Sequence, residues 1–407
     1  MAQDIAHTSP FNDFDKSQLA RGLSLDGGGL HGLIQLMQLV EIEERTAKPV
    51  SDLFHMMAGT SFGGLMALAL SVDGRTGRPF LSARELLDLL NERFAEIFVQ
   101  DLQHQFNFFI NEKYSSKGLR RIVEDIVGDA WLSDIKNDVL ITTYDMHRDE
   151  MRLMKSWHAR GEMSDTWNAS KSREECDFKL VDVAMGTTAA PTYFQPVRAR
   201  SRCNYDHVLI DGGVVANHPA DILRNSMETR YGKKTKKFIL SVGTGEKRQT
   251  YDYEDVKNKG RVGWLRPVID VLFNGQAAKV EYDLRRDLEQ GYMRMQIPLN
   301  GIPELPKVDF GFDIRYRENL DIIRQYGAHL RDVLAADDHA TLERFFRAVP
   351  MRPTSEFVQT SPEKDVYAPL SDYRKGAAND DKKDQEPPRT DSAEKAPAHS
   401  APDSSVS

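Results

Sequence analysis

The stretch that leaves this chain the fewest choices is Phe54-His55-Met56-Met57-Ala58-Gly59-Thr60-Ser61-Phe62-Gly63-Gly64, an apolar run that breaks on a glycine-serine-glycine turn and resumes as Leu65-Met66-Ala67-Leu68-Ala69-Leu70. It predicts a buried strand, a very tight turn and a helix. In Gly59-x-Ser61-x-Gly63 the small neighbours let the backbone strain, so that the serine side chain projects into a cleft as it does on a nucleophile elbow. The competing interpretation is a glycine-rich turn whose serine only caps the helix.

Upstream, Leu23-Ser24-Leu25 predicts a short strand, and residues 33–44 an amphipathic helix with Leu33, Leu36, Met37 and Val40 on one face. Between them lies Asp26-Gly27-Gly28-Gly29-Leu30-His31-Gly32. A glycine loop opening a helix presents unpaired N–H groups at the positive end of the helix dipole and is an anion receptor. Two anions fit. Gly27-x-Gly29-x-x-Gly32 matches a dinucleotide fingerprint, with Glu43 or Glu44 as a ribose acid that comes earlier than the roughly 20-residue offset expected there. Alternatively, the N–H groups of Gly28 and Gly29, within the block Gly27 to Gly29, form an oxyanion hole to which the Phe62 amide adds. The serine turn follows on the next strand, and this favours the oxyanion.

Further along, Ser82 and Glu85 make a capping box before a helical period. Phe94, Phe98, Phe106, Phe108, Phe109 and Ile110 concentrate aromatic surface, either as helix core or as an apolar rim over the site. Strands are predicted over 139–144 and 152–157, an exposed loop over 158–175, a helix over 180–186, and mixed structure over 261–300 and 317–348. Val208-Leu209-Ile210-Asp211-Gly212-Gly213 is a strand emptying into an acidic glycine turn, and 237–242 is another buried strand. Asp211 is the candidate partner of Ser61; its alternative role is a turn aspartate that binds nearby backbone amides. Strands interleaved with helices predict an α/β layered fold, a central, largely parallel sheet flanked by helices, with the site at the carboxyl edge.

With 407 residues, 40% of them hydrophobic, the chain suits one large domain over 19–350, a polar arm over 1–18 and a low-complexity tail over 353–407 whose composition predicts disorder. A formal net charge of −8 argues against nucleic acid as a main partner. Cys176 and Cys203 are too few for a disulfide framework and are not spaced as metal ligands; neither a metal nor a cofactor is expected. The N-terminus lacks the basic flank and apolar core of a Sec signal peptide, and no run reads as a transmembrane helix, so a cytoplasmic or peripherally membrane-associated protein is expected. A secretion route without such a signal would leave the same sequence.

Taken together, Asp26-Gly27-Gly28-Gly29-Leu30-His31-Gly32, Gly59-Thr60-Ser61-Phe62-Gly63 and Asp211-Gly212-Gly213, in that order, resemble the three blocks of the patatin-like phospholipases. The similarity extends to Ala216-Asn217-His218-Pro219 and Ser241-Val242-Gly243-Thr244-Gly245, and covers residues from about 20 to about 335. The resemblance implies a patatin-like fold and a Ser61–Asp211 dyad that hydrolyses acyl esters of phospholipids or lysophospholipids without a metal. It also implies a phospholipid membrane surface as partner, and leaves open an activating protein or small molecule. Two positions depart from the pattern: His31 stands where the family usually has Arg or Lys, and Phe62 where a small polar residue is common. Rival readings are a Ser-His-Asp esterase using His218 or His329, a nucleotide-binding regulatory module, and a lipid-binding protein without catalysis.

Overall fold

The computed structural model describes residues 19–72, 81–97, 115–135, 137–162, 173–246, 252–257, 275–300, 302–308 and 317–334, with parts of 260–272 and 342–346. The arm, the tail and the aromatic positions from Phe98 to Ile110 lie outside them.

Eight strands form one sheet: β1 (Leu19–Leu25), β2 (Met56–Thr60), β3 (Asp138–Asp145), β4 (Glu150–Lys155), β5 (Val197–Arg200), β6 (Asp206–Asp211), β7 (Lys236–Val242) and β8 (Tyr292–Met295). Five of them, β3, β2, β1, β7 and β8, pair in parallel in that order. β4 and β6 each pair antiparallel with β3, and β5 pairs antiparallel with β6, so the sheet is mixed around a parallel centre. The central strands are apolar on both faces because helices cover both. Along β1, Leu19, Leu23 and Leu25 enter one core and Ala20 the other.

The larger core receives α1 (Gly32–Thr46), α2 (Phe62–Ala69), α3 (Ala83–Ile97), α4 (Ser116–Val127), α5 (Leu180–Thr187) and α8 (Arg317–His329). On the opposite face, α6 (Ala220–Tyr231) and α7 (Ala277–Leu288) pack with Trp157 over Met56, Ala58 and Leu140. The result is an α/β sandwich of three layers. Several elements were not anticipated: β5, β8 and α6 carry weak periodicity, and 156–159 is a short buried helix around Trp157 where the end of a strand and the start of an exposed loop were expected. The expected capping box is present, with Ser82 N donating to Glu85 Oε2 at 2.8 Å and Glu85 N to Ser82 Oγ at 3.2 Å.

Glu43 ties α1 to its neighbours. Its buried carboxylate accepts the amides of Val50 at 2.8 Å and Ala83 at 2.7 Å, both at helix starts. Burial pushes its carboxyl up to about 7 even though both amides favour the ionised form. Glu43→Ala strands two amides and should cost about 2–4 kcal/mol, read as a lower thermal midpoint. The folded protein holds this proton while the unfolded chain releases it near 4.5, so this contribution to stability is full below that pH and is lost as pH rises through about 7. Glu43→Gln should flatten that part of the pH–stability profile; an unchanged profile would refute it.

Candidate active site

Ser61 ends β2 at φ 54° and ψ −127°, a left-handed φ that a residue with a side chain rarely adopts. The surroundings impose it. A side chain on Gly59 would strike the backbone of Gly63, and one on Gly63 would come within 2.6 Å of the carbonyls of Leu25 and Asp26, so α2 can start directly against the ends of β1 and β2. The Ser61 amide donates to Thr187 Oγ1 at 2.9 Å, and that hydroxyl donates to the Thr142 carbonyl at 2.8 Å. Thr60 Oγ1 lies 2.7 Å from Thr142 Oγ1 and donates to the Ala216 carbonyl at 2.7 Å. Three threonines thus brace the turn.

Asp211 arrives by an antiparallel route. β4 occupies one edge of β3 from Leu140 to Asp145. On the other edge β2 pairs as far as Thr60 with Thr142, and β6 takes over with Asp211 at Thr143. β2 and β6 therefore meet end to end from opposite directions in one lane, and the ends that meet carry Ser61 and Asp211. The carboxyl edge of parallel strands was expected to supply the whole site; it supplies the serine and the glycine loop but not the aspartate.

Asp211 is fully buried. Its Oδ1 accepts the Gly213 amide at 2.7 Å, while Gly212 lies against Thr142 with no room for a side chain. Burial pushes the carboxyl up to about 7, although the Ser61 hydroxyl and the Gly213 amide both favour the charged form. Oδ2 accepts no hydrogen bond among the described residues, while the Ser61 hydroxyl lies near enough to favour the charged carboxylate. Such contacts commonly tighten only when substrate is bound.

A side chain on Gly27 would come 3.1 Å from Ser61 Cβ, which places the glycine loop directly beside the serine. Gly27 does not offer its own amide, which corrects the expectation of a block of three donors: its N–H donates to the Asn217 carbonyl at 3.0 Å, and Asn217 Nδ2 returns a bond to the Gly27 carbonyl at 3.2 Å. The Gly28 and Gly29 amides donate to no backbone carbonyl among the described residues. His31 is buried at the entry to α1. Phe62 turns its ring onto Gly32, where any side chain would strike it, and so belongs to the core.

Beneath the loop lies an ionic cluster that no motif announced. Arg294 of β8 grips Asp26 with two bonds, 3.0 and 2.5 Å, and donates to Ser241 Oγ at 2.7 Å. His218 Nε2 lies 2.9 Å from the same Ser241 hydroxyl, and Tyr292 closes the group at 3.3 Å. Burial lowers His218 to about 4, so its imidazole is neutral. Neither His218 nor His329 is bonded to Ser61, and Glu44 pairs with Arg84 at the surface while Glu43 is held by the two helix-start amides. Cys176 and Cys203 are free thiols.

Residues 23–224 match the sequence profile of the family described as patatin-like phospholipase. Patatin-like protein 2 of Arabidopsis thaliana is 28% identical over 362 residues, covering 79% of this chain and 85% of that protein. Patatin-T5 of Solanum tuberosum is 26% identical over 305 residues, covering 67% and 75%. Among solved structures, VipD from Legionella pneumophila aligns over 77% of this chain and 67% of its own, at 13% identity and a TM-score of 0.34. The chain belongs to the patatin-like phospholipase family.

Proposed function

We propose that this lipid acyl hydrolase cleaves fatty-acyl esters of phospholipids or lysophospholipids with Ser61 as nucleophile and Asp211 as its only base. The observation that carries the proposal is a buried carboxylate with a pKa near 7 facing a serine on a strained elbow. A serine hydroxyl needs a proton acceptor, and a carboxylate serves when burial brings its pKa close to working pH. Asp211 takes the Ser61 proton as Oγ attacks the ester carbonyl. The oxyanion settles on the amides of Gly28 and Gly29, with Phe62 at the start of α2 as the third donor. Asp211 passes its proton to the departing alkoxide and then activates the water that releases the fatty acid.

The Ser-His-Asp alternative loses its best histidine, because His218 is buried, neutral and bonded to Ser241. Ser61→Ala and Asp211→Ala should each reduce hydrolysis of mixed phospholipid vesicles by at least about 1,000-fold, and the double variant should be little worse than either, since residues acting as one unit are non-additive. Independent, multiplying losses would sink the dyad.

A further inference from the structure

We propose that Asn217 is a positioning residue for the reaction, and that it sets the oxyanion hole by holding a single peptide plane. The inference rests on the hydrolase reading above and adds what aims one of its donors. The plane is the one between Gly27 and Gly28. It is trans, so the Gly27 carbonyl and the Gly28 N–H point in opposite directions, and whatever grips the carbonyl also aims the amide. With glycine on both sides this plane can turn over at little steric cost. Turned, it would offer a carbonyl oxygen where the oxyanion has to settle.

Asn217 supplies the grip. Its Nδ2 donates to the Gly27 carbonyl at 3.2 Å, and the Thr244 hydroxyl reaches the same oxygen from the other side at 3.5 Å. Its own carbonyl takes the Gly27 N–H at 3.0 Å. The third side of Gly27 is closed as well: a side chain there would lie 2.3 Å from Asn217 Oδ1 and 3.1 Å from Ser61 Cβ, so the bare Cα is what lets the amide close on the loop beside the nucleophile. Asn217 is buried, and its Oδ1 accepts no hydrogen bond among the described residues. Burying an amide with its oxygen unmet costs stability, and an apolar side chain of that size would pack without the cost. The bond that the amide does make goes to the loop. The clamp itself is anchored, because Asn217 follows the helical turn Gly213–Ala216. That turn gives the Gly213 amide to Asp211 Oδ1 at 2.7 Å, and its Ala216 carbonyl accepts the Thr60 hydroxyl at 2.7 Å. One short stretch thus touches the aspartate, the strand end that carries Ser61 and the glycine loop, and keeps the three in register.

Asn217→Leu, which keeps the volume and removes the amide, tests this beside Asn217→Ala. On a short water-soluble ester both should lower kcat about 100-fold, the loss that follows when one oxyanion donor is withdrawn, with KM within about threefold of wild type. Inhibition by an alkyl trifluoromethyl ketone, which Ser61 converts into a tetrahedral adduct bearing the same oxyanion, should weaken by a similar factor. The pH at which kcat/KM levels off should not move, since Asp211 keeps its surroundings. A crystal structure of Asn217→Leu should show the Gly27–Gly28 peptide turned over or in two orientations. Leucine that sustains kcat within about threefold of wild type would reduce Asn217 to packing and overturn the proposal. So would a low kcat with undiminished inhibition by the ketone, or a peptide plane that keeps its orientation in the leucine variant. A wild type that cleaves no ester would defeat the hydrolase reading alone, because the orientation of the plane is read without turnover.

Discussion

Asp211→Asn is expected to be inactive and, at pH 8, more heat-stable than the wild type. One proton accounts for both effects. The folded protein keeps the Asp211 proton up to about pH 7, whereas the unfolded chain releases it near 3.8. Between these values the native state binds more protons, so the stability tied to this group is full below about pH 4, falls through the interval and is gone above about 7. The difference is on the order of 4 kcal/mol, and asparagine, which does not titrate, avoids the loss while its oxygen still accepts the Gly213 amide. Catalysis follows the opposite course. Only the carboxylate can act as base, so kcat/KM for a soluble ester should climb about tenfold per pH unit below 7 and level off above it. Calorimetry and a rate profile at matched pH measure both; a wild type whose stability rises from pH 5 to 8 would contradict the assignment of a raised pKa.

Arg294→Met should be the most damaging change outside the dyad. It leaves the Asp26 carboxylate buried without its two-pronged partner, at an expected cost of about 3–5 kcal/mol. Adding Asp26→Asn removes the orphaned charge and should restore most of the thermal midpoint. Turnover should stay low in the double variant, with KM little changed, because the residue leading into Gly27 is no longer held from β8. If activity returns in proportion to stability, Arg294 contributes to folding and not to the placement of the oxyanion loop.

The serine turn, the glycine loop and Asp211 were legible in the sequence because each sets a local backbone demand that few residue types can meet. What supports them was not. Thr142 and Thr187 read as ordinary β-branched and small residues, and their role depends on β3 and α5 being brought to the same turn. Arg294 sits in a short strand with no alternation, and only the pairing of β8 with β7 brings it to Asp26. Phe62 stood out only as a departure from the family pattern, and the missing side chain of Gly32, some thirty positions earlier, lets its ring lie in the core. The antiparallel entry of β6 was likewise hidden, since a strand's direction is set by connections and not by its composition.

The end-to-end meeting of β2 and β6 on one edge of β3 also fixes when hydrolytic power can arise as the chain is made. Synthesis delivers the elbow early, the strand carrying Asp211 much later, and the arginine that anchors Asp26 later still. β2 can pair with β1 early, but until β3 is in place nothing brings the ends of β2 and β6 together, and a nascent chain halted before β6 holds Ser61 without Asp211. Domains gain structure as they emerge from the ribosome, yet here the chemistry waits for almost the whole sheet. On the dyad proposed above, this lipid acyl hydrolase is therefore without its base until about half of its chain has been made.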